Sequence, residues 1–322
     1  MKIRFDRAIF TSWYCSLGDC AYCYMSTQKK LISDPKKARR SDASILAEAY
    51  LCKKLGWKIG MISAGYGSYT PESLLDLCKK VNEISNQKVW LNVGVLNENT
   101  IESVKGYLEG VFGAVETVND EARKKALPSK PIQPIESMFE ILDNYNLKKA
   151  MTIIIGLGET IGDFNLLKKF IIKSKINKIV FYALNPIKGT IFEKGKGPKE
   201  EYFIEWIEKT RKEFPKLDIV AGHWVNRVQY IHKMLDAGAN SITKYPAIKL
   251  FNSEFSKTIE KEIKKAGLEF EGTLTKLPEI DYKEIGELSF DEELKEEIKR
   301  KVRGYLKGMA GKQYDGRFNI IN

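Results

Sequence analysis

Short apolar runs rich in β-branched residues alternate along this chain with longer stretches whose apolar positions recur at helical spacing. Eight of the short runs are candidate strands: residues 3–13, 59–63, 89–95, 111–118, 151–155, 178–184, 218–221 and 241–244. Strands that alternate with helices favour a parallel sheet, and eight strands close a TIM-type barrel. The pattern therefore predicts an α/β fold, a (βα)8 TIM-type barrel, with a doubly wound open sheet as the alternative. Asn99 with Glu102, and Thr160 with Asp163, have the spacing of capping boxes at helix starts.

The pattern changes after Gly267. Residues 1–267 carry the alternating strands and helices, whereas residues 268–289 are rich in glycine, proline and acidic residues. A charged amphipathic helix is predicted at about residues 290–309, with Ser289 and Glu292 as its capping box. We expect two parts, a barrel over 1–267 and a C-terminal extension over 268–322 whose helix packs on the barrel.

Composition narrows the class of protein. Among 322 residues, 43% are hydrophobic, yet no run approaches the roughly 18 apolar residues of a membrane span. The first six residues include charges, which is not typical of a secretory signal. Five cysteines, three of them close together, suit thiol ligation in a reducing compartment better than a disulfide framework. We therefore expect a cytoplasmic protein without a membrane segment.

The formal net charge is +11. Many of the lysines lie along helical stretches, as on solvated helix faces, and the excess also suits an anionic substrate or an acidic electron donor such as flavodoxin or ferredoxin. Tandem Cys/His fingers and aromatic-rich RNA-binding signatures are absent from the sequence, so nucleic acid is not an expected partner.

Three of the five cysteines, Cys15, Cys20 and Cys23, are spaced C-x4-C-x2-C directly after the first predicted strand. Neighbouring thiolates suit a soft metal centre, and three protein ligands on a 4Fe–4S cluster leave one iron open for a substrate or cofactor. In a TIM barrel the reactive groups gather where strands end, and the cysteine loop lies at such an end. The other strand ends offer Tyr66, Asn92, His223 and Tyr245 as candidates for a small-molecule substrate cavity, and Glu116 as a carboxylate suited to ribose hydroxyls.

The cysteine trio with Tyr22 before its last member, residues 154–160 (IIGLGET), 188–190 (KGT) and 237–242 (AGANSI) together resemble the biotin synthase branch of the radical S-adenosylmethionine (SAM) superfamily. The resemblance runs from about residue 3 to 267. It implies a barrel whose three thiolates hold a 4Fe–4S cluster with SAM on the open iron. Reductive cleavage of SAM would yield a 5′-deoxyadenosyl radical that takes hydrogen from an unactivated C–H bond.

The resemblance also implies roles for single residues. Cys15, Cys20 and Cys23 would be cluster ligands, and Tyr22 would border the adenine. Ala64 and Gly65 would meet the methionyl amino group, Glu116 the ribose, and the backbone of Ile155, Gly156 and Leu157 the adenine edge. A basic residue after the fourth strand is expected for the methionyl carboxylate, and Lys130 is chosen over Arg123.

Two features depart from the branch. The first cysteine gap holds four residues where three are usual, and the strand positions that hold a sulfur-donating second cluster in biotin synthases read Met61, 90–92 (WLN), 150–152 (AMT) and 218–219 (DI), without cysteine or arginine. We therefore expect no biotin synthase activity. The chain is more similar to hydrogenase maturases, methylornithine synthases and the methanogen proteins that make the [Fe]-hydrogenase cofactor. A subunit of the two-protein archaeal lipoyl synthase, with its partner protein, is the alternative.

Two other classes compete with an enzyme. Plant-type ferredoxins share C-x4-C-x2-C with a distant fourth cysteine, for which Cys52 is available, but Cys52 and Cys78 lie in helical patterns that favour buried free thiols. A zinc site of the trio with His223 is a further rival. His223 would titrate near neutral pH if it faced a cavity, and His232, on a helix, is expected to be structural.

Overall fold

The computed structural model of the chain describes residues 2–311, and these form a closed parallel barrel of eight strands. The strands run in chain order around the barrel, and β1 pairs in parallel with both β2 and β8, which closes it. The strands are β1 Lys2–Ser12, β2 Lys58–Ala64, β3 Val89–Asn92, β4 Leu108–Glu116, β5 Lys148–Ile155, β6 Lys178–Ala183, β7 Asp218–Gly222 and β8 Ser241–Thr243. The predicted TIM-type barrel is confirmed, and the closed pairing rules out the open sheet.

Helices surround the barrel. They are α1 Tyr24–Gln28, α2 Asp42–Leu55, α3 Pro71–Ser85, α4 Glu98–Val104, α5 Asp120–Ala126, α6 Gln133–Asn144, α7 Phe164–Lys173, α8 Glu200–Glu213, α9 Ile231–Asp236, α10 Glu254–Lys265, α11 Lys283–Gly286 and α12 Glu292–Ala310, with 3-10 turns at Lys105–Tyr107, Ile161–Asp163 and Val225–Tyr230. The capping box of Thr160 and Asp163 is confirmed. The box predicted at Asn99 is wrong, because Asn97 caps α4 by accepting a 2.9 Å hydrogen bond from the Thr100 N–H.

The interior of the barrel is packed with side chains. Its middle layer consists of Met61, Trp90, Phe112, Ala150, Val180 and Val220. Side chains alternate along a strand, so Lys178 and Tyr182 lie on the same inward face of β6 as Val180. We call the level of Lys178 the floor and the level of Tyr182, at the carboxyl end of β6, the mouth. Two large aromatic rings fill the middle, so any ligand chamber is confined to the mouth.

The floor is closed by buried charges. The Lys178 ammonium lies 3.1 Å from Asp6 Oδ2 and 3.3 Å from Asp218 Oδ2, and 5.0 Å from the centre of the Trp90 ring. Burial opposes the charge on Lys178, but the two carboxylates outweigh it and raise the pKa. The Arg4 guanidinium lies 3.3 Å from Asp218 Oδ1 and 3.8 Å from Asp6 Oδ1, so the floor is a structural site in which each carboxylate has cationic neighbours.

The C-terminal extension is joined to the barrel. A ninth strand, β9 Glu269–Glu271, pairs with β1, which the sequence pattern did not predict. The appended helix α12 is confirmed and packs along α2, where the Tyr305 hydroxyl lies 2.8 Å from Ser44 Oγ. Asp291, not Ser289, caps it, since Ser289 Oγ instead donates a 2.7 Å hydrogen bond to Glu83. The division after residue 267 stays a prediction, and its last residues, 312–322, lie outside the described residues.

Within residues 2–311, none of the helices combines the length and apolar character needed to cross a membrane.

Candidate active site

The cysteine loop between β1 and α1 is fixed across the mouth of the barrel. Its backbone bonds to the loops after three different strands: Ser16 N–H to Tyr66 O at 2.9 Å, Ala21 N–H to Ala126 O at 2.8 Å, and Ala21 O to Ile191 N–H at 3.3 Å. Ser68 Oγ adds a 3.0 Å hydrogen bond to Tyr14 O. The loop is therefore held at both its first and its middle part, although it has no regular secondary structure.

Gly65 explains how close the loop after β2 comes to the first cysteine. A Cβ on Gly65 would lie 2.3 Å from Tyr14 O and 2.6 Å from Cys15 Cβ, closer than atoms can approach. Only glycine fits there. The structure thus places Gly65 directly beside Cys15, and the contact of Ala64 and Gly65 with the methionyl amino group stays a prediction.

The thiols of the loop lie in a largely buried environment. Burial raises the pKa of Cys20 to about 12, partly opposed by Lys130, and burial also raises the pKa of Cys23. Such thiols stay protonated until a cation shares the site, and a coordinated metal deprotonates a thiol outright. Cys20 and Tyr22 pack against an apolar cluster of Ala126, Leu127, Ile154, Leu157 and Leu184.

Neither rival metal site is formed by the described residues. Within residues 2–311 no three or more His, Cys, Asp or Glu side chains are gathered as they would be around a metal ion, and this holds for the cysteine trio with or without His223. Cys52 lies on α2 with no exposed surface, which does not suit a fourth ferredoxin ligand. Cys78 is likewise buried, on α3. Both are confirmed as buried free thiols.

Glu116 ends β4 with a left-handed backbone, φ +65°, and its carboxylate is almost completely buried. Thr152 Oγ1 donates to Glu116 Oε2 at 3.1 Å, and the Lys130 ammonium lies 3.4 Å from Oε1. Burial opposes the charge on Lys130, but Glu116 outweighs it and raises the pKa. A non-glycine residue in this conformation is strained, and such strain concentrates at functional sites.

Arg123 and Lys130 have different tasks. The Arg123 guanidinium donates to the carbonyls of Val115 at 2.7 Å, Thr117 at 2.6 Å and Lys130 at 2.9 Å. It therefore clamps the backbone on both sides of Glu116. The Lys130 ammonium, in contrast, lies beside Glu116 and 5.6 Å from the Tyr66 ring centre. This geometry favours Lys130 over Arg123 as a ligand-binding cation, and that role stays a prediction.

The glycine loop after β5 contains a partner that the sequence analysis missed. Glu159 accepts hydrogen bonds from the N–H groups of Gly156 at 2.7 Å and Leu157 at 2.9 Å. The Ile155 carbonyl accepts the Leu184 N–H at 2.9 Å. The polar backbone groups assigned to the adenine edge are thus already bonded within the protein, and their contact with adenine stays a prediction.

A cavity of about 310 Å³ opens beside Cys23 at the mouth. Its wall is mainly apolar and aromatic and consists of Ala8, Tyr22, Cys23, Tyr24, Ile154, Tyr182, Ala183, Leu184, Asn185, Ile187 and Lys244. Lys244 is the charged member of this wall. Its backbone is left-handed, φ +71°, at the residue directly after β8.

The four predicted cavity residues do not line this wall. Tyr66 lies beside Lys130, and Asn92 Nδ2 contacts Met61 Sδ at 3.5 Å. Tyr245 is buried, and its hydroxyl lies 3.0 Å from Ser256 Oγ, towards α10. His223 is fully buried against the Tyr245 ring with no hydrogen-bond partner on either ring nitrogen. Burial lowers the pKa of His223 to about 4, so it does not titrate near neutral pH.

With this geometry established, comparison with known proteins places the chain. It is 38% identical, over 94% of its length and 88% of that protein's, to the uncharacterized protein MJ0597 of Methanocaldococcus jannaschii. The chain belongs to the family of MJ0597. No sequence profile of a described family matches it.

Two solved structures share the fold of this MJ0597 relative. A methylornithine synthase (PylB) superposes with a TM-score of 0.69 at 17% identity, covering 83% of both chains. The FeFe-hydrogenase maturase HydG of Carboxydothermus hydrogenoformans superposes with a TM-score of 0.65 at 14% identity, covering 95% of this chain and 77% of its own. At these identities the likeness establishes a common barrel, and function must be argued from the site.

Proposed function

We propose that this protein is a radical SAM enzyme that acts on a small molecule. The observation that carries the proposal is the cysteine loop, fixed across the carboxyl ends of the strands with Cys23 in the wall of a cavity and Glu116 and Lys130 buried close by. The superposed proteins are the same two kinds, a methylornithine synthase and a hydrogenase maturase, that the sequence motifs resemble.

The residues present fit a bound 4Fe–4S cluster and SAM. Cys15, Cys20 and Cys23 would hold the cluster. Burial raises the pKa of Cys20 and Cys23, so a bound cation would supply the charge that favours their thiolates. When bound and reduced, the cluster would supply the electron that cleaves SAM to a hydrogen-abstracting radical. A carboxylate at Glu116 can accept hydrogen bonds from two ribose hydroxyls, and the Lys130 cation can pair with a carboxylate.

The protein part of the chemistry is orientation and exclusion of water. Tyr22 and the apolar cluster around Leu157 would cover one side of the ligand, and the middle layer of the barrel would close the chamber below it. A radical needs such a dry chamber, because side reactions with solvent and protein must be prevented.

The apolar middle layer also bears on the reaction type. Trp90 and Phe112 occupy the barrel interior, and both remaining cysteines, Cys52 and Cys78, lie on outer helices. A second, sulfur-donating cluster would have no thiol ligands there. This supports rearrangement or alkylation of a small molecule, in cofactor biosynthesis or metallocofactor maturation, over sulfur insertion. We propose flavodoxin or ferredoxin as the reductant.

The test is anaerobic reconstitution of single-cysteine variants. Cys15→Ser, Cys20→Ser and Cys23→Ser should each lose the iron–sulfur chromophore and reductive SAM cleavage, because a hydroxyl is a weak iron ligand. Cys52→Ser and Cys78→Ser are matched controls that should retain both, with about four irons per chain. Loss of the chromophore in Cys52→Ser, or roughly six to eight irons in the unmodified protein, would refute the single-cluster proposal.

A further inference from the structure

Lys244 is half-buried in the cavity wall and differs from the buried lysines of the described chain in having no carboxylate partner. Lys130, Lys149, Lys178 and Lys295 are each paired with a carboxylate, at 3.4, 2.7, 3.1 and 2.8 Å respectively. Over residues 2–311 the Lys244 ammonium makes neither an ion pair nor a hydrogen bond, and its nearest described contact is the Tyr182 ring, 5.2 Å away. A cation in an apolar wall without an anion is costly, which calls for an explanation.

The backbone directs this cation into the cavity. Thr243 and Tyr245, on either side, are fully buried in the protein, and the Tyr245 hydroxyl bonds towards α10. The left-handed φ of +71° at Lys244 breaks the strand alternation and brings its side chain to the wall shared with Tyr182. Glycine or asparagine would adopt this conformation at lower energetic cost. The presence of lysine at a strained position therefore indicates a role for its side chain.

The wall offers one further polar group and otherwise apolar surface. Asn185 lies in the wall, and its side-chain amide makes no hydrogen bond to another part of the described structure. Tyr182, Leu184 and Ile187 supply aromatic and aliphatic surface around it, whereas Tyr22 in the same wall is assigned to the adenine. A cation, a free amide and an apolar wall are complementary to a ligand with an anionic head and an apolar body.

We propose that Lys244 binds the carboxylate of the substrate and that the apolar wall around Tyr182 binds the substrate's hydrocarbon part. This assignment rests on the proposed function, because that function defines what the substrate is. Binding of a carboxylate at Lys244 does not itself require a cluster. Burial lowers the pKa of Lys244 to about 8, with Glu116 opposing the shift, so the ammonium form still predominates at pH 7. Lys244 is thus a specificity-determining residue for small carboxylic acids.

The test is calorimetric titration of the reconstituted full chain with hexanoate and with the neutral isostere hexanamide at pH 7. Hexanoate should bind roughly tenfold or more tightly than hexanamide, because a hydrogen bond to a charged group in a dry site contributes at least that factor. Lys244→Met should abolish the difference, and Lys244→Arg, which keeps the charge, should restore part of it. Lys233→Met is the matched control, since Lys233 also lies over a tyrosine ring, at 5.6 Å, but on the exposed surface.

The outcomes separate this inference from the proposed function. Equal affinities for the two probes, no measurable binding of either, or an unchanged hexanoate affinity in Lys244→Met would overturn the inference. Iron content and SAM cleavage, measured on the same preparation of unmodified protein, test the proposed function independently. Circular dichroism of Lys244→Met and Lys244→Arg checks that a lost difference does not come from unfolding.

Discussion

The inward-facing lysines Lys178 at the floor and Lys244 at the mouth, the first buried and the second half-buried, have opposite surroundings. Lys178 at the floor lies between Asp6 and Asp218, and its pKa is raised. Lys244 at the mouth has an aromatic ring as its neighbour instead of a carboxylate, and its pKa is lowered to about 8. Both cations lose hydration, but only the first is compensated within the protein. An uncompensated charge indicates a place where a ligand completes the site.

The pair of Lys130 and Glu116 lies between these extremes. Both groups are buried, yet the 3.4 Å separation is long for a charge-assisted hydrogen bond. Glu116 also keeps Thr152 as a donor. The pair is thus less closely joined than the ion pairs at the floor, and its role in ligand binding stays a prediction.

The largest expected effect tests the floor against the mouth. Lys178→Met should lower the free energy of unfolding by about 3 kcal/mol, because it leaves the buried Asp6 carboxylate with Arg4, 3.8 Å away, as its remaining cationic neighbour. Lys244→Met should change it by less than about 1 kcal/mol, since no partner is left unpaired. Urea denaturation of both variants under identical conditions measures the difference. Equal destabilisation would show that the two lysines are not distinct in kind.

The apolar pattern of the sequence predicted the strands that form the floor and the mouth, but it did not predict which side chains line them. Eight apolar runs located all eight barrel strands, because most of these strands are buried on both faces. Strand β1 is the exception, since charged residues interrupt its apolar run. Strand β9 was missed because Glu269–Glu271 is short and charged and pairs with β1 alone. The cysteine loop and Glu116 could be placed at the mouth because strand ends converge there.

The cavity residues could not be predicted in the same way. Strand alternation determines where a side chain points only while the strand continues, and β8 ends at Thr243. The left-handed turn at Lys244 exchanges the expected orientations, so Tyr245 faces α10 and Lys244 the cavity. Positive φ at a lysine has no local sequence signal. The cap of α4 could not be predicted either, because Asn97 and Asn99 are equivalent residues within one turn. The structure has Asn97 as the cap.

A smaller effect is expected from the mouth pair. Glu116→Ala should weaken SAM binding by roughly ten- to a hundredfold, because lost hydrogen bonds to the ribose cost on the order of 1–3 kcal/mol. It would also leave Lys130 without its carboxylate, so Glu116→Gln, which keeps an acceptor for Lys130 and Thr152, is the sharper variant and should show an intermediate loss. Calorimetric titration with SAM under argon measures both. An unchanged affinity in Glu116→Ala would contradict the assignment of the β4 end to the ribose.

The smallest effect concerns His223, whose imidazole is fully buried beside Tyr245. Burial is the main cause that lowers its pKa to about 4, and the charge of Lys244 adds to the shift. In the unfolded chain the imidazole takes up a proton near pH 6.5, whereas in the folded chain it stays neutral to about pH 4, so the unfolded state binds more protons between these values. Stability from this residue is therefore complete above about pH 6.5 and falls with pH by about 1–3 kcal/mol towards pH 4.

His223→Leu should remove this part of the acid dependence in urea denaturation series at pH 7, 5.5 and 4. In Lys244→Met the fall should be smaller and should end at a higher pH than in the unmodified protein, because loss of the neighbouring positive charge raises the folded-state pKa of His223 towards its unfolded value. If the free energy of unfolding of the unmodified protein and of His223→Leu fell equally with pH, the imidazole would be in contact with water. His223 would then not be an uncompensated buried group.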